Sequence, residues 1–210
     1  MNEILRLDNV VLTIDNKEIV NANFSIKTGD FLIIKGENAV GKSLLLKLLY
    51  LKILPTKGNV FLFGKKIEKT ERDGILTYRK KLGVILQNDF LIPFFTVYQN
   101  IQLASQIQNK KDNFHKRIDE ILDWLGLRKI KNDLVYKLSN GQKQRIVVAR
   151  ALINNPKIII ADHPDNNLDE SATKKVFYLF ESLNKLGVTV IMTSNIQRNF
   201  NVNYKIIHLQ

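Results

Sequence analysis

The chain has 210 residues, of which 45% are hydrophobic and 25% are charged, and its net charge is +12 at pH 7. This length suits one domain with its own core, which we place over residues 1–210, and the composition excludes disordered and fibrous classes. The sequence contains no Cys, which excludes disulfides and thiolate metal sites. No apolar stretch is as long as a membrane-spanning helix, and residues 1–6 do not resemble a signal peptide, so we expect a cytoplasmic protein.

The positive charge has two interpretations. An excess of Lys and Arg attracts acidic partners, such as nucleic acid or the anionic inner leaflet of a membrane. Alternatively, it reflects only a solvated, Lys-rich surface. The basic residues are scattered along the chain, without a nucleic-acid motif or interleaved aromatic residues. We therefore favour the solvated surface, expect no specific nucleic acid, and leave contact with the inner leaflet open.

The first third of the chain predicts two β-structures and a helix. Residues 3–27 read as a β-hairpin, because two strand-like runs flank a turn at residues 15–17. The apolar run at 31–35 predicts a buried strand, and residues 44–50, apolar on nearly every face, predict a buried helix. A further strand at 58–64 would join the hairpin in an antiparallel β-layer.

The remainder alternates between helix and strand. We predict helices over 71–81, 97–108, 113–125, 143–154 and 171–185, and strands over 82–86, 158–161, 188–193 and 204–209. The strand pattern lapses in the middle, so residues 89–146 are expected to form an inserted helical subdomain. The alternation predicts an α/β fold with a mainly parallel core sheet and ligands at its carboxyl edge. Four residues are expected at that edge: Gly36, Gln87, Asp162 and Asn195.

The segment between the strand at 31–35 and the helix at 44–50 fits the spacing G-x-x-x-x-G-K-[ST] of a phosphate-binding loop. It consists of Gly36, Glu37, Asn38, Ala39, Val40, Gly41, Lys42 and Ser43, and Leu44 follows. Glycines let backbone N–H groups turn onto phosphate oxygens, and the helix N-terminus adds a positive dipole end. Lys42 would bind the β- and γ-phosphates, and the Ser43 hydroxyl would ligate Mg²⁺. A bound nucleotide is therefore expected.

Two further segments suit the same chemistry. Asp162 follows an apolar strand, where a carboxylate holds Mg²⁺, usually through water; the alternative role is to cap the strand end. Ser139 and Gln142 have the spacing of a capping box. With Gly141 between them, this helix start can present free N–H groups to an anion.

In this order, the phosphate loop, Gln87, residues 138–142 and the run ending at Asp162 resemble the ATP-binding-cassette (ABC) ATPases. The resemblance covers the whole chain. It implies a P-loop NTPase fold with an antiparallel β-subdomain and an inserted helical subdomain, and ATP with Mg²⁺ as the ligand. It also implies that residues 138–142 contact the γ-phosphate on a second subunit, so a homodimer is expected on ATP binding.

The resemblance also implies the role of each site residue. The metal ligands would be Ser43, Gln87 and Asp162, and the catalytic residues would be Lys42, Gln87 and Asp162 with His163 and Asn195 at two altered positions. Gln87 would contact the metal and sense a membrane protein. The apolar stretch 90–97 follows it, where the family receives a segment of that partner. Helical core would claim about half of these side chains, and our hypothesis is that Phe94 or Phe95 contacts the partner.

Several stretches resemble, within the family, the FtsE subfamily of cell-division ATP-binding proteins: 78–87, 96–101, 144–152, 167–169 and 187–192. This implies a membrane partner similar to FtsX and a peripheral location on the cytoplasmic face of the cell membrane. The lipoprotein-releasing and macrolide-export ATPases share most of these stretches, so both remain alternatives. A soluble ABC ATPase acting on nucleic acid is less favoured, because the chain lacks the coiled-coil insertion of those relatives.

The sequence departs from the family at five positions around the ligand. His163 replaces the Glu that polarises the attacking water, and Asn195 replaces the switch His. Residues 12–14 contain no aromatic residue to stack on adenine, Leu44 replaces a hydroxyl residue, and Asn140 replaces a Gly. Loss of a positioned general base lowers the rate by a factor of about 10²–10⁴. We therefore predict that the protein binds ATP with Mg²⁺ and hydrolyses it weakly.

Overall fold

The computed structural model describes residues 2–37, 39–68, 72–87, 90–105, 114–194 and 198–209. Its strands are β1 (Glu3–Ile14), β2 (Lys17–Lys27), β3 (Phe31–Lys35), β4 (Lys57–Leu62), β5 (Lys65–Lys66), β6 (Leu82–Ile85), β7 (Ile158–Asp162), β8 (Thr189–Thr193) and β9 (Lys205–His208). Its α-helices are α1 (Lys42–Leu49), α2 (Arg72–Arg79), α3 (Val97–Ser105), α4 (Phe114–Trp124), α5 (Asn140–Leu152) and α6 (Glu170–Lys185). Short 3₁₀ turns lie at Arg128–Ile130 and Val135–Lys137.

A parallel sheet divides the core in two. Its strand order is β6-β7-β8-β3-β9, and every neighbouring pair is parallel. Side chains alternate between the two faces of a strand. Accordingly, Phe31 and Ile33 join a hydrophobic cluster with α3 to α6. Leu32 and Ile34 join a second cluster with α1 and with a second sheet, formed by β1, β2, β4 and β5. The predicted α/β fold with a parallel core sheet is confirmed.

The remaining sheet, β2-β1-β4-β5, is antiparallel. The turn between β1 and β2 has φ values of 48° at Asp15 and 60° at Asn16, the left-handed conformation that two-residue hairpin turns require. Gly58 lies where β4 meets β1, with φ 81°, and a Cβ there would be 2.1 Å from the carbonyl oxygen of Asn9. Only Gly therefore fits at this contact. The predicted hairpin and antiparallel layer are both confirmed.

The predicted helical insertion corresponds to α3, α4, the two 3₁₀ turns and the first part of α5. Its apolar side chains share one cluster with a face of the parallel sheet. The prediction that α5 begins at residue 143 is wrong: the helix begins at Asn140, because Ser139 is already its N-cap. That residues 89–146 behave as a separate subdomain stays a prediction. Among the helices that the structure describes, none is long and apolar enough to cross a bilayer.

Candidate nucleotide-binding site

The site is built on the carboxyl edge of the parallel sheet. Ile34 of β3 pairs with Thr193 of β8, and Thr193 pairs with Asp162 of β7. This register brings the loop after β3 and the end of β7 to the same edge, as predicted. Gln87 is exposed and follows β6, the neighbour of β7, by two residues. Asn38 and Asn195, two predicted site residues, lie outside the described residues.

The phosphate loop requires glycine at its end. Gly41 has φ 101°, and a Cβ there would lie 2.6 Å from Cγ2 of Val20 on β2. Ala39 also has a left-handed backbone, with φ 65°. Val40 N–H donates to the carbonyl oxygen of Glu37, which closes a tight turn inside the loop. The loop is thus curled against the hairpin in a shape that a side chain at residue 41 would disrupt.

Lys42 spans the loop from inside. Its ammonium group is buried and donates to the carbonyl oxygens of Gly36 at 2.8 Å and Glu37 at 2.7 Å. An ammonium has three N–H donors, so one remains for a phosphate oxygen. The two hydrogen bonds hold the charge at the loop, where it can neutralise a bound polyphosphate.

The first turn of α1 faces the same space. Gly41 occupies the N-cap position and has no side chain with which to cap the helix. The first N–H groups of a helix have no partner within it, so they are free for an anion at this end. Ser43 lies in this turn and is half-buried, as is Leu44. The apolar residues Leu45, Leu46, Leu48 and Leu49 are buried and fix the helix against the sheet.

Asp162 and His163 are held by a residue that sequence reasoning missed. Thr193 donates its hydroxyl to Oδ1 of Asp162 at 2.8 Å, and the same hydroxyl accepts the backbone N–H of His163 at 2.9 Å. All three residues are buried. His163 has φ 46°, an uncommon value for a non-glycine residue, often found at functional sites. The sequence signal for Thr193 was a polar residue at the end of the strand predicted over 188–193. Whether that residue contacts Asp162 depends on the strand order, which the sequence pattern does not give.

The donor set suits Mg²⁺. The Ser43 hydroxyl and the Asp162 carboxylate are hard oxygen ligands, the type that Mg²⁺ prefers. In the part of the chain that the structure describes, no group of three or more His, Asp or Glu side chains could hold a metal alone. A magnesium ion bound here would therefore take its remaining ligands from phosphate oxygens and water.

The second candidate for anion binding is the start of α5. Ser139 Oγ accepts the N–H of Gln142 at 3.2 Å, and Gln142 Oε1 accepts the N–H of Ser139 at 2.8 Å. The predicted capping box is therefore confirmed. Ser139 and Asn140 are exposed, so this helix end is open to a second molecule. A Cβ at Gly141 would lie 2.9 Å from the carbonyl oxygen of Asn167, so this glycine also permits close approach to the segment after β7.

We call residues 90–96 the aromatic loop. The exposed fractions of its phenylalanine side chains are 63% for Phe90, 79% for Phe94 and 37% for Phe95. Leu91 is buried, in agreement with the prediction that core would claim part of this stretch. The ring of Phe94 lies 6.3 Å from the exposed ring of Tyr136. Phe90, Phe94, Phe95 and Tyr136 are all exposed, and we call these four side chains the aromatic surface.

The family model described as ABC transporter matches residues 19–166. This range contains the phosphate loop, the aromatic loop, the capped start of α5 and the end of β7. The chain belongs to the ABC transporter family. Its architecture is the P-loop fold of ABC ATPases, as the sequence predicted.

Named relatives and a solved structure agree with this assignment. The lipoprotein-releasing system ATP-binding protein LolD of Aquifex aeolicus is 37% identical over 198 residues, which cover 93% of this chain and 86% of the relative. The cell division ATP-binding protein FtsE of Streptococcus pneumoniae is 33% identical over 196 residues, which cover 91% of this chain and 85% of the relative. The solved structure of the dimeric ATP-binding cassette MJ0796 bound to ADP and Pi is 31% identical, with a TM-score of 0.88. The match covers 99% of this chain and 94% of that chain.

Proposed function

We propose that this protein binds ATP with Mg²⁺ as the cytoplasmic subunit of a membrane complex, dimerises on ATP binding, and hydrolyses ATP weakly. One observation carries the proposal of ATP binding. The buried Lys42 ammonium spans the phosphate loop, and the adjacent helix end, with Gly41 at its N-cap, cannot be capped by a side chain. Both features provide positive potential for a polyphosphate.

Each residue has a separate task in this proposal. Lys42 and the loop N–H groups bind the β- and γ-phosphates, while Ser43 and Asp162 hold Mg²⁺, with Gln87 approaching it from β6. The metal neutralises charge on the phosphates when it is bound. Asp162 is already oriented by its hydrogen bond from Thr193. Binding therefore needs little rearrangement of the carboxylate.

Weak hydrolysis follows from the residue after Asp162. His163 is an imidazole where the family has a carboxylate. Imidazole can take a proton from water, but it carries no negative charge, and the cation that it would become is repelled by Lys42 and Mg²⁺. Its backbone is tied to Thr193, so the position of its Cα is set by the sheet edge. Asn195, proposed at the switch position, can donate or accept a hydrogen bond but cannot carry a proton.

Dimerisation is proposed because the capped start of α5 has no anion of its own to bind in a monomer. Ser139 and Asn140 are exposed and Gly141 and Gln142 are half-buried, so a second subunit can bring an anion to this capped helix end. The related cassette MJ0796 is a dimer in its complex with ADP and Pi. In the proposed homodimer, Ser139, Gly141 and Gln142 of each subunit contact the γ-phosphate bound by the other.

The proposed membrane partner is a protein similar to FtsX, and it meets the aromatic surface of Phe90, Phe94, Phe95 and Tyr136. An exposed aromatic cluster of this kind marks a contact site. The protein would then be peripheral, on the cytoplasmic face of the cell membrane, where its basic surface can face anionic lipid. A role as the ATPase of a lipoprotein-releasing or macrolide-export transporter is the alternative, and the similarity to LolD favours the first of these.

Two measurements test the proposal. The first is the affinity of the purified chain for ATP with Mg²⁺. It should fall at least about tenfold in Lys42→Ala, because the phosphate charge is no longer neutralised. Steady-state ATPase activity should stay far below that of LolD or FtsE assayed alongside, with or without the partner. Normal turnover would refute weak hydrolysis, and unchanged binding in Lys42→Ala would refute the site.

A third measurement separates the candidate partners. The chain is coexpressed with an FtsX-type membrane protein and, separately, with the membrane subunits of a lipoprotein-releasing system, and each complex is purified in detergent. Copurification with only the FtsX-type protein supports the cell-division role. Copurification with only the lipoprotein-releasing subunits supports the transporter role. Association with nucleic acid that nuclease treatment abolishes would support the soluble class instead.

A further inference from the structure

A buried amide lies beneath the aromatic loop. Asn100 in α3 is only 1% exposed. Its Oδ1 accepts the N–H of Ile92 at 2.8 Å, and its Nδ2 donates to the carbonyl oxygens of Ile92 and Thr96, each at 3.1 Å. A third carbonyl, that of Phe95, lies 3.5 Å from Nδ2. One side chain thus satisfies backbone groups at both the middle and the end of the loop.

Further backbone groups of the loop are bound within the loop and by the 3₁₀ turn at Val135–Lys137. Phe95 N–H donates to the carbonyl oxygen of Ile92 at 3.1 Å. Val135 and Tyr136 donate their N–H groups to the carbonyl oxygens of Phe95 and Pro93, both at 3.0 Å. These hydrogen bonds fix the backbone that carries the exposed phenylalanine side chains. Burying an amide is unfavourable unless its hydrogen bonds are satisfied, and here the loop satisfies them.

The start of the loop is tied to a different element. Arg150 in α5 donates from Nη1 to the carbonyl oxygen of Phe90 at 2.9 Å. Phe90 has φ 45°, an unfavourable backbone conformation for a bulky residue, which persists only where its surroundings impose it. The same helix begins at the capped end proposed to contact ATP on the second subunit. Arg150 therefore joins the helix of the dimer contact to the surface of the membrane contact.

We infer that Asn100 and Arg150 are positioning residues: Asn100 holds the aromatic loop in its exposed shape, and Arg150 transmits a displacement of α5 to it. The inference rests on the proposed function, because that function gives the two surfaces their partners. A rigid helix with a hydrogen bond at its far end can carry such a displacement directly. The aromatic surface is then preformed, and ATP changes its position rather than creating it.

Hydrogen exchange on the full chain without nucleotide tests the role of Asn100. In Asn100→Ala, the amides of residues 92 and 94–96 should exchange at least about tenfold faster, because the Ile92 N–H loses its acceptor and the Ile92 and Thr96 carbonyl oxygens each lose one of their two donors. Asn154→Ala is the matched control: it removes a hydrogen bond from the Asn154 amide to the Ala104 carbonyl oxygen, 2.7 Å long, in the same helical region. The control should leave residues 92–96 unchanged.

Faster exchange confined to the loop supports the inference. Unchanged exchange there, or an equal increase throughout the chain, overturns the role of Asn100. Asn100→Ser, which keeps a hydroxyl donor and acceptor, should give an intermediate increase and serves as the test if the Ala variant does not fold.

Exchange with and without ATP and Mg²⁺ tests Arg150. In the unaltered chain, nucleotide should slow exchange at residues 36–44 and change exchange at residues 90–96. Arg150→Met keeps the apolar stem but has no N–H donor, so the response at 90–96 should fall to below about a third, while that at 36–44 stays. Arg150→Lys, which keeps one charged donor group, should recover most of the response.

Each result is decisive for one part of the inference. A full response at residues 90–96 in Arg150→Met, or none in the unaltered chain despite slower exchange at 36–44, overturns transmission through Arg150. If nucleotide does not slow exchange at 36–44, ATP binding itself is refuted and transmission falls with it. The comparison of Asn100→Ala with Asn154→Ala needs no nucleotide and still decides whether the loop is held by Asn100.

Discussion

At the scale of single residues, the Thr193 side chain at the end of β8 binds two residues at the end of β7. A hydroxyl can donate and accept at the same time. Thr193 does both, with the Asp162 carboxylate on one side and the His163 N–H on the other. The residue that would hold the metal and the residue that replaces the general base are therefore oriented by one side chain.

Replacing this hydroxyl should weaken ATP binding. In Thr193→Val, the buried carboxylate and N–H lose their partner, which should lower the free energy of unfolding by about 1–3 kcal/mol. Because Asp162 is no longer oriented, the Mg²⁺-dependent affinity for ATP should fall several-fold in a calorimetric titration. Thr189→Val is the control, since Thr189 is also buried in β8 but accepts the Gly29 N–H at the opposite end of the strand. Equal ATP affinities in the two variants would contradict this role for Thr193.

The second prediction at this scale concerns His163. His163→Glu restores a carboxylate beside Asp162 and should raise steady-state ATPase activity by about 10²-fold or more, because a positioned general base is worth a factor of about 10²–10⁴. His163→Gln matches its size without a base and should leave the rate low. If both variants turn over ATP as slowly as the unaltered chain, other departures, such as Asn195, limit hydrolysis instead.

At the scale of elements, both ends of α1 are fixed. Its first turn carries Lys42 and Ser43, and its last turn is held by α2: Tyr78 donates its hydroxyl to the Leu49 carbonyl oxygen at 2.9 Å. Burial raises the pKa of the Tyr78 phenol well above its usual value, so the hydroxyl stays protonated and remains a donor. Arg79 donates to the next carbonyl oxygen, that of Tyr50. The helix that presents the phosphate site is thus anchored at the end remote from the ligand.

The cap of α5 gives a prediction at the element scale. Ser139→Ala removes the capping oxygen and should lower the free energy of unfolding by about 1 kcal/mol, measured by urea denaturation. It should also weaken ATP-dependent dimerisation in analytical ultracentrifugation, because the first turn frays where it meets the second subunit. Ser139→Asn keeps a capping oxygen and should restore stability. Full dimerisation of Ser139→Ala at the ATP concentrations that saturate the unaltered chain would argue against the proposed contact.

At the scale of the whole molecule, the parallel sheet separates two tasks. The cluster on one face supports α1 and the phosphate loop, and the cluster on the other supports the helices beneath the aromatic surface. The two sites share strands but few side chains. Changes at the aromatic surface should therefore leave nucleotide binding intact.

Phe95→Asp tests that separation. A carboxylate within the aromatic surface should abolish copurification with the membrane partner, because desolvating an unpaired charge is unfavourable. ATP affinity and thermal stability should stay close to those of the unaltered chain. Tyr178→Asp, at an exposed aromatic residue on α6, is the matched control and should not affect the complex. Complex formation by Phe95→Asp at unaltered yield would refute the docking surface.

The sequence by itself determined the features that depend on neighbours along the chain. Hydrophobic periodicity located the strands and helices, and the spacing from Gly36 to Ser43 identified the phosphate loop. The capping box at Ser139 was readable because both partners lie within one turn. A similar pair, Thr96 and Gln99 at the start of α3, fits the same pattern and was overlooked. These features are local, so residue type and spacing are sufficient to predict them.

Only the tertiary structure decided the contacts between residues distant in sequence. Thr193 reaches Asp162 because β8 lies between β3 and β7, an order that periodicity does not encode. Asn100 and Arg150 gained their roles because α3 and α5 pack beneath the same loop. The outward direction of Phe94 could not be read from an apolar stretch, since burial depends on what packs against it. Strand order and side-chain exposure come from long-range packing. For this reason the phosphate loop was evident from the sequence, whereas the roles of Thr193, Asn100 and Arg150 were not.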